Sequence, residues 1–240
     1  MIVAKNITKR FGKLTALNNV SLTCNKGEAI SLIGPNSSGK TTFIKCLLGM
    51  VIPDSGIISF DNNDIKDGCE YRKEIGYMPQ IGRYPDNMTI EQIFDMMLDL
   101  RHKKMNDADS ELINSLGINL IFNKRMRTLS GGTRQKVSAS LAFLFNPRVL
   151  ILDEPTAGLD PLSSEILKEK IRKEKQQGKL ILITSHILSD LDDLVTEIIY
   201  LQEGNMLFHN SIEELRNKTG EEKLSRAIAS VMKDNNQQHV

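Results

Sequence analysis

Residues 34–41 read Gly34-Pro35-Asn36-Ser37-Ser38-Gly39-Lys40-Thr41, a fit to GxxxxGK[ST] between an apolar run, EAISLI, and a helical pattern, TTFIKCLL. Strand, glycine-rich loop and helix in that order make a phosphate cradle. Successive backbone N–H groups turn inward on the oxygens, and the positive end of the helix dipole lies beneath them. Glycine permits the bend and the close approach. Lys40 is placed to reach the β and γ phosphates and the Thr41 hydroxyl to ligate Mg²⁺. The competing reading is an ordinary glycine-rich turn. Such a string arises in a chain of this length about once in a hundred random sequences, and the strand and helix flanks lower that further.

Two other segments carry chemistry. Four apolar residues, VLIL, lead into Asp153-Glu154, so a buried strand delivers two carboxylates at its C-terminal end, where ligands bind in open α/β sheets. Asp153 suits Mg²⁺ and Glu154 suits the polarisation of an attacking water. Leu129-Ser130-Gly131-Gly132 opens a helix. Ser130 there is an N-cap in the plain reading, and with the first free N–H groups it is also a second anion site. One chain thus carries two phosphate-binding helix ends.

The elements that must hold these groups follow from periodicity. Residues 2–8 and 14–23 alternate as short strands around Gly12-Lys13, and GIISF and EIGYM read as strands on either side of a polar turn, DNNDIKDG. From residue 85 the pattern becomes helical. Ile90, Ile93, Phe94, Met97 and Leu98 share one face, Leu112, Ile113 and Leu116 continue on a second helix ended by Gly117, and a third helix runs from Ser130 through Phe145. Strand and helix then alternate: VLILD at 149–153, a helix at 161–176, KLILITS at 179–185, a short helix near 187–193, TEIIYL, NMLFH and a helix at 211–217. That series predicts a mainly parallel sheet. The expected division is a discontinuous core at 1–84 and 147–218, a helical insertion at 85–146, and a C-terminal helix with a polar tail at 219–240.

Composition excludes several classes. Lys+Arg 31 against Asp+Glu 30 gives a net charge of +1, with no field to hold nucleic acid or anionic lipid. The longest apolar runs fall far short of the roughly 20 residues that cross a bilayer. The opening MIVAKNITKRF lacks the apolar block of a secretory signal, so a cytoplasmic chain is expected. Cys24, Cys46 and Cys69 form no CxxC pattern and suggest neither a disulfide framework nor a zinc site.

In its motifs and their order, over about residues 2–210, the sequence resembles the ATP-binding subunit of ABC transporters. Gly34 to Thr41 matches the Walker A loop, VLILDE at 149–154 Walker B, and LSGG at 129–132 the signature motif. Gln80 matches the Q-loop glutamine, Gly158-Leu159-Asp160 the D-loop, His186 the switch histidine and Phe11 the aromatic that stacks on adenine. The resemblance implies an α/β P-loop NTPase (RecA-like) core with an antiparallel β subdomain and an inserted α-helical subdomain. It implies catalytic roles for Glu154, His186 and Gln80, and Mg²⁺ ligation by Thr41, Gln80 and Asp153. ATP contacts would come from Phe11, Gly34, Pro35, Asn36, Ser37, Ser38, Gly39, Lys40, Thr41, Thr42, Ser130, Gly131, Gly132 and Asp160. Two such subunits close head to tail, each nucleotide lying between one Walker A loop and the partner's signature helix. That arrangement gives both phosphate-binding ends a purpose.

The implied partners are transmembrane permease subunits and a second copy of the chain or a homologous ATP-binding subunit, with no nucleic acid. The chain would be cytoplasmic, reaching the inner face of the membrane only through the permease, which docks in a groove bordered by Gln80 and residues 81–88. The form of the D-loop region and a short C-terminus suit exporter-type transport. The alternative is an ATPase of the same superfamily acting on ribosomes or DNA, and a nucleotide kinase or GTPase leaves LSGG, GLD and TSH unexplained. Two positions depart from the family pattern. Ser37 stands where glycine is common and Thr133 where glutamine is common, so altered nucleotide kinetics are expected at the loop.

Overall fold

The computed structural model describes residues 1–185 and 193–237. His186 lies outside these residues, as does nearly all of the short helix expected near 187–193. The chain opens with β1 (Ile2–Phe11) and β2 (Leu14–Cys24), an antiparallel pair that β4 (Ser55–Phe60) and the two-residue β5 (Asn63–Asp64) extend in the order β2-β1-β4-β5. β5 and a 3-10 turn at Ile65–Asp67 occupy the segment expected to be a plain polar turn.

The second sheet has six strands in the order β10-β9-β3-β8-β7-β6. They are β3 (Ala29–Ile33), β6 (Ile75–Met78), β7 (Val149–Asp153), β8 (Leu180–Thr184), β9 (Glu197–Gln202) and β10 (Asn205–Ser211). All pairings are parallel except β9 with β10. The inner strands β3, β7 and β8 are buried along their whole length and almost wholly apolar, because both faces are covered. Alternate residues therefore go to opposite sides. Ala29, Leu150, Leu152, Ile181 and Ile183 join a core beneath the helices, whereas Ile30, Val149, Ile151, Leu180 and Leu182 pack with Phe43 and Leu47 against the antiparallel sheet.

Seven helices belong to the described residues: α1 (Lys40–Leu47), α2 (Ile90–Leu100), α3 (Glu111–Ser115), α4 (Gly131–Phe143), α5 (Pro161–Gln176), α6 (Ile212–Thr219) and α7 (Leu224–Gln237). Thr89 and Gln92 cap α2 reciprocally, and Gly117, at φ +68°, turns the chain out of α3. α4 stops two residues short of the expected Phe145. Asn146 takes a left-handed φ of 49° ahead of Pro147, whose ring disfavours helical backbone in the residue before it. In α7, Leu224, Ala227, Ile228 and Val231 are buried at helical spacing against the first core.

Candidate functional site

The loop between β3 and α1 is shaped by close contacts. A Cβ on Gly34 would stand 2.0 Å from the Leu201 carbonyl oxygen, and one on Gly39 would stand 2.4 Å from that of Ala16. No L-residue with a side chain fits either place. Gly39 precedes α1 with φ +108° and no side-chain cap, so the first N–H groups of the helix are left for a ligand. Ser37 adopts φ +65°, a left-handed conformation that costs a residue with a Cβ about 1 kcal/mol. The Lys40 ammonium bonds the carbonyls of Gly34 at 2.7 Å and Pro35 at 2.9 Å. Burial lowers its pKa, opposed by the charges of Glu154 and Asp153.

β7 ends beside this loop. The register pairs Asp153 with Thr184 on β8, and the Thr184 hydroxyl donates to Asp153 Oδ1 at 2.5 Å. The same hydroxyl accepts the Glu154 N–H at 3.0 Å. Asp153 is 4% exposed, and burial holds its carboxyl above the usual carboxylate range, against the Thr184 hydrogen bond. Glu154 leaves the strand at φ +52°, a backbone turn that sets its side chain apart from the sheet.

Phe11, Asn36, Ser37, Ser38, Gly39, Lys40, Thr41, Thr42, Gln80, Asp153 and Glu154 all line one cleft of about 530 Å³. Phe11 at its mouth is 50% exposed, with the Lys9 ammonium 5.4 Å from the ring centre. Leu14 and Ala16 also line the cleft. They and Thr184 escaped the sequence reading, although Thr184 was detectable as the polar residue ending an apolar strand that runs beside VLILD.

Ser130, Gly131, Gly132 and Asp160 are absent from this cleft and form a second group. Ser130 caps α4 by accepting the Thr133 N–H at 3.2 Å, and the two hydroxyls lie 2.9 Å apart. Thr133 therefore steadies the very serine it follows. Asp160 caps α5 by accepting from the Ser163 N–H at 2.9 Å. Lys136, one turn into α4, pairs with Asp160 at 2.8 Å. The Lys136 and Ser163 hydrogen bonds hold the Asp160 carboxyl far below the usual carboxylate range. A Cβ on Gly132 would stand 2.7 Å from the Gly158 carbonyl, so the α4 N-terminus and the loop before α5 lie in contact.

The ABC transporter family profile matches residues 17–157, more than half of the chain. The chain belongs to the ABC transporter family. It is 31% identical to the ABC transporter ATP-binding protein NatA of Bacillus subtilis over 96% of this chain and 97% of that protein. It is 32% identical to the lipopolysaccharide export system ATP-binding protein LptB of Escherichia coli over 89% and 92%. Among solved structures, an ABC transporter ATP-binding subunit superposes with a TM-score of 0.89 at 26% identity, covering 97% of this chain and 99% of that one. A dimeric ATP-binding cassette holding ADP and Pi in a post-hydrolysis state superposes at 0.76 and 26% identity, covering 88% and 99%. This ABC transporter subunit binds and hydrolyses ATP, and subunits of its kind dimerise and serve a membrane permease. None of its described helices is long and apolar enough to cross a membrane.

Proposed function

We propose that this chain powers an exporter-type ABC transporter, its two copies closing over two ATP molecules that each copy holds by one half. The observation that carries the reading is the separation of two groups. One cleft gathers Phe11, residues 36–42, Gln80, Asp153 and Glu154, while Ser130, Gly131, Gly132 and Asp160 form a contact group elsewhere. A second copy turned head to tail supplies what each cleft lacks.

In this reading Phe11 stacks on adenine. Gly34, Pro35, Asn36, Ser37, Ser38, Gly39, Lys40, Thr41 and Thr42 cradle the phosphates, and Glu154 orients the attacking water. His186, outside the described residues, acts at the γ-phosphate. Ser130, Gly131, Gly132 and Asp160 reach the nucleotide of the other copy. The donor set also fits Mg²⁺: a hydroxyl (Thr41), an amide oxygen (Gln80) and a buried carboxylate (Asp153) are the hard oxygen ligands this ion prefers. Bound there, it would neutralise phosphate charge. Cleavage removes the γ group that bridges the copies, so their affinity falls and the pair reopens.

Export is supported by relatives. LptB serves lipopolysaccharide export, and the Nod factor export ATP-binding protein I of Burkholderia lata, 30% identical over 85% of this chain, serves Nod factor export. The permease would dock between the core and the 85–146 subdomain. A cavity of about 270 Å³ lies there, lined by Tyr77, Pro79, Arg83, Tyr84, Arg101 and Phe145. Of the border expected for the groove, Arg83 and Tyr84 line this cavity, whereas Gln80 lines the nucleotide cleft. The chain would then sit on the inner face of the cell membrane.

The test is Glu154→Gln. ATP affinity should persist, turnover should fall by roughly 10²–10⁴ as for a lost general base, and scattering should show an ATP-dependent dimer. Wild-type turnover in that variant would refute the role of Glu154, and a monomer with saturating Mg-ATP and its permease present would refute the shared site.

A further inference from the structure

α4 and α5 begin at the two groups that the proposed function sends to the partner's nucleotide, Ser130 and Asp160. They are fastened near those ends by the Lys136–Asp160 pair and by the Gly132–Gly158 contact. They are fastened a second time, between the middle of α5 and the end of α4, by charge. Lys170, on α5, is 5% exposed. Its ammonium lies 2.5 Å from Asp109, 2.9 Å from Glu111 and 2.9 Å from Glu174, one turn further along the same helix. Lys173 holds Glu111 from the other side at 2.6 Å, and Lys179 pairs with Glu174. Asp109 in turn donates its backbone N–H to the Leu144 carbonyl at 2.8 Å, and Leu144 is the C-cap of α4. A continuous path therefore runs from the middle of α5, through Lys170 and Asp109, to the end of α4.

Burial opposes the Lys170 charge, but its three carboxylates outweigh it and hold the ammonium above the usual lysine pKa. Buried ion networks are weak stabilisers compared with apolar packing, and their best-attested use is to fix register. An apolar contact between the 85–146 subdomain and α5 would tolerate sliding. A cation held at once by three carboxylates on two elements admits one arrangement.

We infer that Lys170 is a positioning residue, which sets the angle of α4 against α5 so that Ser130 and Asp160 meet the partner's nucleotide together. This rests on the shared-site reading above. Without the clasp the N-terminal fastening remains but α4 can pivot about it. Nucleotide binding in the cleft of one chain is then untouched, while closure over two nucleotides is impaired.

The experiment uses the full chain with Lys170→Met, Lys170→Arg and Asp109→Asn. In Lys170→Met the nucleotide dissociation constant by calorimetry should stay near wild type and kcat should fall about tenfold, the scale of a misplaced group remote from the chemistry. In a Glu154→Gln background the same substitution should raise the ATP concentration needed for dimer formation. Asp109→Asn should shift both in the same direction by less, and Lys170→Arg should recover most of kcat. Wild-type kcat in a cooperatively folded Lys170→Met overturns the inference, as does a loss of nucleotide affinity that parallels the loss of kcat. If Lys170→Met fails to fold, wild-type kcat in Asp109→Asn overturns it. Failure of the clasp leaves the behaviour of Glu154→Gln alone intact, whereas failure of the shared site abolishes the dimer in that variant too.

Discussion

Thr184 holds Asp153 by a hydroxyl hydrogen bond of 2.5 Å across two parallel strands, and that bond only partly offsets what burial does to the carboxyl. A carboxyl with a folded-state pKa above its ordinary value binds its proton more tightly when folded. Its stabilising contribution is present below the ordinary pKa, near 3.9, and is lost as pH rises through the folded value. At neutral pH ionised Asp153 therefore opposes folding. Asp153→Asn should melt at a higher temperature than wild type at pH 7, with a gap that narrows as pH falls toward 4, while ATP turnover is lost. Calorimetric melts without nucleotide between these limits check it, and a gap independent of pH would contradict it.

Ser37 occupies left-handed backbone that glycine adopts freely. Replacement by glycine relieves that strain in the folded loop and adds freedom to the unfolded chain. These terms are each about 1 kcal/mol and of opposite sign. Global stability should therefore barely change. Ser37→Val should lose ATP affinity, because a β-branched residue at positive φ is a conformational outlier. The expected order of affinity by calorimetry is glycine at least equal to serine, and both above valine.

Adjacent glycines of α4 should respond with opposite signs. A methyl on Gly131 meets nothing within 4 Å, whereas one on Gly132 meets the Gly158 carbonyl at 2.7 Å. Gly131→Ala should stabilise the isolated chain by about 0.5–1 kcal/mol through helix propensity. Gly132→Ala should destabilise it by about 1–3 kcal/mol through overpacking. Urea denaturation of the two variants separates them, and equal midpoints would show that the contact yields without cost.

Of the three thiols, burial pushes Cys24 up to about 12 and Cys46 up to about 11, while Cys69 is exposed. A thiol with a raised pKa stays protonated and unreactive at ordinary pH. A disulfide reagent at pH 8 should titrate one thiol per native chain, at Cys69, and three in denaturant. Fast reaction of two or more in the native state would be inconsistent with the packing of β2 and α1.

What sequence alone could disclose divides by range. VLILD and LILIT announce buried strands because both faces of their sheet are covered, and Gly39 to Leu47 announces a loop and helix because the signals are contiguous. The left-handed turn at Glu154 left no mark, since nothing in Asp153-Glu154-Pro155 encodes the hydrogen bonds that the Glu154 N–H donates to the Thr184 hydroxyl and carbonyl. β5 hid in a polar segment because two residues carry no periodicity. The Lys170 cluster was equally silent. Asp109 and Glu111 lie 61 and 59 residues away along the chain, and on α5 the lysine reads as one charge among many on a solvated face. The separation of the two phosphate-binding ends was legible as a puzzle. Its geometry needed the placement of Gly132 against Gly158.

The Leu201 carbonyl that crowds Gly34 bears on how the gene itself can change. Glycine alone lacks a Cβ, so every missense substitution in that codon drives an atom into the end of β9. Drift cannot pass through position 34 by gradual steps. The backbone of a strand more than 160 residues downstream acts as a standing filter on what the phosphate loop may become.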